Sequence, residues 1–365
     1  MTIYAWNPGF DQGVRTQHFM TGLARALAED DFVAGTVDEA RLVLQRVDDV
    51  SRPFRRKNHA VYVIGVYFPD TIDPDVPLLN QFYPYLIRSL SNLLITVAGS
   101  PDAPIFYITT LERGTYAVRV PGVSHPEAGR IYDELVRRIG PLARSHLIVK
   151  NRFVPNLPPS LWRGTRETDS LKEGGRALDR WDLLPAPFPM EQLLTPEDFR
   201  HVQRLFNIGG LSYGNLSVRQ DESTFWMSAS GVNKGRLEEV GRDILLVTDF
   251  DAEEEGMVLS VPEAVKPRRV SVDAIEHWRI YRAHPEVGAI IHVHAWMENV
   301  PSTDINYPCG TIELAQAVSQ EIDRAADPSQ TVVGLRNHGL TITGRSIEDI
   351  LNRIDGRLIR EVPMT

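Results

Sequence analysis

The sequence predicts an α/β protein made of two domains, and three observations carry that reading. Strand-like apolar runs alternate with segments of helical periodicity through both halves of the chain. The length of 365 residues is enough for two hydrophobic cores. A proline-dense interval separates the halves: "FVPNLPPSLW" (Phe153 to Trp162) opens a polar, glycine-containing stretch, and "LLPAPFPM" (Leu183 to Met190) closes it. Prolines at this density resist both helix and central strand. Residues 151–190 are therefore predicted to be an extended connector between an N-terminal α/β domain, 1–150, and a C-terminal domain, 191–365.

In the N-terminal half, "VRTQHFMTGLARALAE" has helical periodicity and "HAVYVIGVYF" (His59 to Phe68) is a β-rich run of strand length. "LLNQFYPYLIRSLSNLL" reads as an apolar helix interrupted by Pro84. "IFYITTL" and "TYAVRV" read as two strands joined at Glu112-Arg113-Gly114, and "HPEAGRIYDELVRRIG" as a surface helix ending at a glycine cap. The histidines of this half, His18, His59, His125 and His146, have no metal-ligand spacing and read as structural or surface residues.

The C-terminal half opens with "TPEDFRHVQRLFNIGG", where Thr195 suits an N-cap, Pro196 the first helical position, and Gly209 and Gly210 the stop. "NLSVRQ", "TFWMSAS", "DILLVTDF" and "MVLS" are short strands. "VDAIEHWRIYRAHPE" is a helix, "VGAIIHVHAW" a strand, "TIELAQAVSQEIDRAA" a helix, "TVVGLRNHGLTITG" a strand pair and "SIEDILNRIDGRLI" a last helix.

Composition narrows the function. A formal charge of -9 argues against nucleic acid or an anionic membrane as partner. A single cysteine, Cys309, excludes an internal disulfide and fits a reducing compartment. The opening "MTIYAWNPGFDQG" lacks the charge cluster and apolar core of a signal peptide, and no apolar run is long enough to span a bilayer. The expectation is a cytoplasmic protein acting on a small molecule.

The chemistry sits in "VGAIIHVHAW". Residues two apart on a strand project to one face, so His292 and His294 lie side by side at the end of an apolar run. Two same-face imidazoles suit a divalent cation; a pair of partly exposed histidines on a half-buried strand is the alternative. His338, beside Gly339 where two apolar runs meet, supplies a third ligand. Three histidines with an open fourth position describe a catalytic rather than a closed structural site. Cys309 is a conceivable fourth ligand, but reads as a small core hydrophobe.

The ordered set "GNLSVR", "SASG", "SVDAIEHWRIY", "GAIIHVHAW", "GTIELA" and "RNHGL" resembles the class II aldolase/adducin family, which includes fuculose-phosphate aldolase and ribulose-phosphate 4-epimerase. The resemblance covers about residues 190–355 and leaves residues 1–150 unrecognised. It implies a three-layer C-terminal domain with a central β-sheet. His292, His294 and His338 become ligands of one divalent metal ion per chain, zinc first, with manganese or iron as alternatives. The ion would act as a Lewis acid on a sugar-derived hydroxy-carbonyl and stabilise an enediolate as a carbon–carbon bond breaks.

The resemblance places the acid–base carboxylate at Asp273, four before His277, where aldolases carry Glu and epimerase-type members Asp. A helix-N-terminal carboxylate favoured by the macrodipole is the other reading of Asp273. Glu276 is a nearby substitute expected to face differently. Gly214, Asn215, Ser230, Gly231 and Ser271 match the family's substrate and phosphate-binding positions. The family's paired serines are Ser271-Val272 here, which weakens the phosphate; Lys234 and Arg236 either compensate or are solvated surface. Some members donate a proton from a C-terminal tyrosine. None follows Tyr307 here, which turns the search for the acid to the N-terminal domain.

The implied function is a metal-dependent carbon–carbon lyase of aldolase type, working as a homo-oligomer, a tetramer by resemblance. A 4-epimerase, a 3-oxo-acid decarboxylase, an iron-dependent oxygenase and a non-catalytic adducin-like binding module are the alternatives.

Overall fold

The computed structural model describes residues 1–10, 13–49, 52–55, 61–111, 113–124, 127–185, 188–200 and 212–364. His59, His125, Glu112, and most of the helix expected after Thr195 with its stop at Gly209 and Gly210, lie outside the described residues. The chain divides into two compact units: Met1–Arg144 with Pro187–Gly209 and Met364–Thr365, and Ser145–Ala186 with Gly210–Pro363.

The first unit is an α/β sheet domain. Its strands are β1 (Thr2–Trp6), β2 (Phe32–Ala34), β3 (Leu42–Val47), β4 (Tyr62–Tyr67), β5 (Leu93–Ser100), β6 (Ala103–Thr110) and β7 (Gly114–Ala117). They lie in the order β2-β1-β3-β4-β5-β6-β7, parallel from β2 to β5 and antiparallel beyond. The central strands β3 and β4 are rich in apolar residues and almost wholly buried, as a parallel sheet covered by helices requires. Helices α1 (Val14–Glu29) and α3 (Ala128–Arg144) close one core through Phe19, Leu23 and Leu27 against Ile131, Leu135 and Ile139. Helix α2 (Leu78–Arg88) runs through Pro84 and stops earlier than its apolar run suggests, because Leu93 and Leu94 open β5. Gly140 does not cap α3. A Cβ there would meet Asp30 Oδ2 at 3.0 Å, so the glycine serves a close approach inside the helix. His18 is exposed.

The second unit corrects the expected connector. Residues Lys150–Val154 form β8, which pairs in parallel with β12 (Gly256–Ser260) at the edge of the second sheet. Helix α4 (Arg166–Arg180) follows, started by a capping box between Thr165 and Thr168. Its glycines are packing devices. A Cβ on Gly174 would meet Leu216 and Ile347, and one on Gly175 would meet the Lys234 carbonyl. Among the described residues, the prolines that suggested a linker lie between β8 and α4, where Pro159 opens a short 3-10 helix (Pro159–Leu161), and after α4, ahead of the short helix α5 (Met190–Leu193) of the first unit.

The remaining strands are β9 (Asn215–Arg219), β10 (Phe225–Ser228), β11 (Ile244–Asp251), β13 (Ala289–Val293), β14 (Val332–Leu335) and β15 (Gly339–Gly344). The order is β14-β15-β13-β9-β10-β11-β12-β8, antiparallel except at β8. Alternation along β9 shows three layers. Leu216 faces α4 and α8 (Ile347–Ile354), while Ser217 faces α6 (Ala274–Ala283), which packs with α7 (Ile312–Asp323). Among the described residues no helix is long and apolar enough to cross a membrane.

Candidate metal centre

Strand β13 is buried along its whole length, between β9 and β15. The register sets His292 opposite Asn215 on β9 and Thr341 on β15, so these three side chains share one face as a row. His294 lies just past the strand end, two residues on, its ring centroid 5.2 Å from that of His292. His338 comes from the β14–β15 turn. The left-handed residue of that turn is Asn337, at φ 56°, rather than the glycine. Gly339 serves a close approach instead. A Cβ there would meet the Val293 carbonyl oxygen at 2.2 Å, so only glycine lets the hairpin lie this close to β13. The His338 ring then stacks on His292 at 5.1 Å and meets His294 edge-on at 4.7 Å.

One ligand atom from each of His292, His294 and His338 lies within 4.8 Å of the others. His292 Nδ1 is 3.0 Å from the Leu340 carbonyl, so it carries the proton and donates, leaving the Nε2 lone pair for a cation. Nε2 of His292 and Nε2 of His338 stand 3.2 Å apart. Two nitrogens bound to one tetrahedral zinc at ordinary bond lengths are about 3.3 Å apart. Three imidazoles with one tautomer already fixed by a carbonyl are a donor set that fits a divalent cation of borderline softness.

A buried polar layer lies between this row and α6. Asn215 Nδ2 donates to Asp273 Oδ2 at 2.7 Å, and Thr341 Oγ1 donates to Glu276 Oε1 at 2.6 Å. Ser217 bridges His277 Nδ1 at 2.7 Å and the Tyr281 hydroxyl at 2.8 Å. Asp273 is the residue before α6, but its side chain makes no capping bond; it turns to Asn215 instead. Glu276 does not face away from Asp273 as expected. Residues three apart share a helix face, and both carboxylates reach the row that contains His292, one through Asn215 and one through Thr341.

The electrostatics follow from burial. Desolvation, and then the negative charge of Asp273, push Glu276 up to about 8, so it is a neutral acid at pH 7. Desolvation and the neighbouring His292 push His277 down to about 3, which keeps it neutral. Asp273 Oδ1, Asn215 Oδ1, Glu276 Oε2 and His277 Nε2 are buried without a hydrogen-bond partner among the described residues.

The segments expected to hold a phosphate converge. Gly214, at φ 71°, brings its chain against the His292 carbonyl, which a Cβ would meet at 2.4 Å. The Leu216 amide donates to Ser228 Oγ at 3.3 Å, tying the Gly214-Asn215 segment to the strand leading to Ser230 and Gly231. The Ser230 amide donates to the Arg269 carbonyl at 2.8 Å, and a bridge between Ala229 and Val270 sets Ser271 alongside. Asn215 is hydrogen-bonded to Asp273 and almost fully buried. Lys234 is not solvated surface: it is buried, and its ammonium donates to the Ser212 carbonyl at 2.6 Å. Arg236 is exposed.

Two further residues neighbour the histidines, one of which, Tyr213, sequence reasoning passed over. The Tyr213 ring lies 5.3 Å from the His294 ring, so a phenol borders the cluster from within this unit. Its signal was its place immediately before "GN". Cys309 is a half-buried residue whose sulfur is 3.1 Å from His338 Nε2, and it belongs to no hydrophobic cluster of the described residues.

Residues 200–302 match the family model described as Class II Aldolase and Adducin N-terminal domain. The chain is 28% identical over 172 residues to a methylthioribulose-1-phosphate dehydratase of Citrobacter koseri, covering 39% of this chain and 78% of that protein. It is 33% identical over 146 residues to a protein of the same name from Stenotrophomonas maltophilia, covering 38% and 61%. Among solved structures, an L-fuculose 1-phosphate aldolase aligns at 18% identity and TM-score 0.37, over 53% of this chain and 82% of that one. The L-fuculose-1-phosphate aldolase of Thermus thermophilus aligns at 19% and 0.32, over 50% and 85%.

Proposed function

The chain carries a class II aldolase/adducin-family domain, and from that premise we propose that it is a divalent-metal-dependent lyase acting on a small, sugar-derived hydroxy-carbonyl. The observation that carries the proposal is the cluster of His292, His294 and His338 beside the buried carboxylate of Asp273. The dehydratase name shared by the sequence relatives favours elimination of water over the carbon–carbon cleavage expected from the aldolase resemblance. Both reactions begin with removal of a proton or a carbon fragment next to a carbonyl, so one site supports either.

The bound cation, zinc in the first instance, would polarise the carbonyl as a Lewis acid. His292, His294 and His338 hold it, with Leu340 fixing the His292 ring. Asp273 is the base that takes the proton from the carbon beside the carbonyl: Asn215 holds Oδ2, and the second oxygen has no partner among the described residues. The C–O bond on the next carbon then breaks, its oxygen leaving as water with the proton that Asp273 had taken, and the enol left behind becomes the second carbonyl. Gly214, Ser230, Gly231 and Ser271 would receive a phosphate through amides and hydroxyls, with Asn215 positioning the base. Assembly as a homotetramer in the cytoplasm belongs to the same proposal, and sedimentation velocity checks the assembly.

The test is turnover of methylthioribulose 1-phosphate and fuculose 1-phosphate by zinc-loaded protein, with product analysis. A dicarbonyl product without released aldehyde supports dehydration. Aldehyde release would replace it with carbon–carbon cleavage, and no turnover by fully loaded protein would reject this substrate class.

A further inference from the structure

Asp273 and Glu276 stand three residues apart where α6 begins, on one face of the helix, and are 6% and 2% exposed. Each is tied by one oxygen to a residue flanking His292. Asn215 Nδ2, on β9, donates to Asp273 Oδ2 at 2.7 Å, and Thr341 Oγ1, on β15, donates to Glu276 Oε1 at 2.6 Å. Each keeps a second oxygen, Asp273 Oδ1 and Glu276 Oε2, buried without a hydrogen-bond partner among the described residues. Among those residues no lysine, arginine or histidine forms an ion pair with either carboxyl.

Two buried carboxylates on one helix face, with no side-chain countercharge, repel each other while burial penalises each charge. One proton between them removes the repulsion and leaves a single negative charge. Glu276 is the better holder of that proton. It is the more deeply buried of the two, and glutamate is intrinsically the slightly weaker acid. The Thr341 hydroxyl already donates to Oε1, so the proton belongs on Oε2, the oxygen that otherwise has no partner. The surroundings add no competing charge. Asp273 is the one charged group that acts on Glu276, and His277, on the same helix, is neutral. The strands β9, β13 and β15 bring Asn215, the His292 imidazole and Thr341. The buried residues of α7 and β11, which also pack on α6, are apolar apart from Ser319.

We propose that Asp273 and Glu276 work as one acid pair holding a single resident proton on Glu276, which makes Glu276 a positioning residue for the base. Its catalytic part deepens the reading of Asp273 as the base and rests on that reading; the sharing of the proton does not. In the reaction Asp273 takes a proton from carbon and returns it to the leaving oxygen, so the pair alternates between one proton and two. Ionisation of Glu276 would set a second negative charge beside Asp273. The abstracted proton would then be held more tightly and returned less readily. A protonated Glu276 keeps Asp273 able to act in both directions.

Infrared spectroscopy of the full chain tests the pair without reference to turnover. The chelated protein at pH 7 should show the C=O stretch of a protonated carboxyl, which titrates away near pH 8, the value to which burial and Asp273 raise Glu276. Carbon-13 labelling of glutamate carboxyls should move the band and labelling of aspartate should not, which assigns it without any substitution. Glu276→Gln should lose the band. Asp273→Asn should keep it and lower its midpoint by about one pH unit or more, because the repelling charge is gone. A band that follows aspartate labelling, or a midpoint indifferent to Asp273→Asn, would overturn the pair. The band should persist at pH 7 after zinc loading, and its loss there would overturn the catalytic part. With a turned-over substrate, kcat should decline on the alkaline side in the wild type and not in Glu276→Gln; the same decline in both would also overturn the catalytic part. Absence of turnover with the infrared results intact would reject the lyase reading and leave the shared proton standing.

Discussion

Asn215 Nδ2 donates to Asp273 Oδ2 at 2.7 Å across the gap between β9 and the start of α6, and both residues are almost completely buried. This one bond ties the carboxylate to the strand that pairs with His292. Asn215→Ala leaves a buried carboxylate oxygen unsatisfied. It should lower stability by about 1–3 kcal/mol, the desolvation penalty of an orphaned group. Urea denaturation measures that loss, and unchanged stability would mean that the bond carries no weight.

Removal of any one imidazole should abolish tight metal binding. His292→Ala, His294→Ala and His338→Ala are each expected to weaken zinc by more than the roughly 10–100-fold that loss of an outer partner gives. Elemental analysis after dialysis against a weak chelator should return about one ion per wild-type chain and a trace in each variant. A variant that retains its ion would remove that residue from the ligand set.

Glu276 should impose a pH dependence on the chelated protein. The unfolded chain releases this proton near 4.5, whereas the folded chain holds it to about 8 because of burial and the charge of Asp273. Between those values the native state binds more protons than the unfolded state, so stability falls as pH rises. Below that window the contribution of Glu276 is fully present. Glu276→Gln keeps the shape and removes the titration, so its urea midpoint should decline less steeply from about pH 5 to about pH 8, the span between the two values; parallel slopes would exclude Glu276 as the source.

Gly214→Ala meets two obstacles at once. The residue is at φ 71°, and a Cβ would press on the His292 carbonyl oxygen at 2.4 Å. A loss of about 1–3 kcal/mol is expected from the strained backbone. Zinc affinity should fall with it, because the displaced strand carries a ligand. Calorimetric unfolding and zinc competition read the two effects separately.

The alternation along "VGAIIHVHAW" was enough to set His292 and His294 on one side, because a strand's period is local. His338 was suggested by its place beside Gly339 at a turn and supported by the family resemblance, while its actual position depends on Gly339 admitting a hairpin to β13. Cys309 was read as a small core hydrophobe, whereas it belongs to no hydrophobic cluster of the described residues. Its distance to His338 depends on a loop pinned to Ile148 by a long-range hydrogen bond that no local pattern encodes. Glu276 was misdirected by treating a three-residue offset as a change of face. The interval 151–190 was misread because Gly174 and Gly175 weaken a helix signal, yet here admit Leu216, Ile347 and Lys234 to close range. The capping pair Thr165 and Thr168 was the contrary signal.

The pairing of β8 with β12 has a practical corollary for anyone dividing the chain. A fragment starting at residue 191 would contain the whole family match, 200–302, but would strip the outermost strand from the sheet and the helix α4 from its face. The amide and carbonyl groups of Met257 to Ser260 that β8 now occupies would become an open edge, ready to recruit a strand from another chain. Such a fragment should aggregate, and restoring residues from Ser145 onward should recover its solubility.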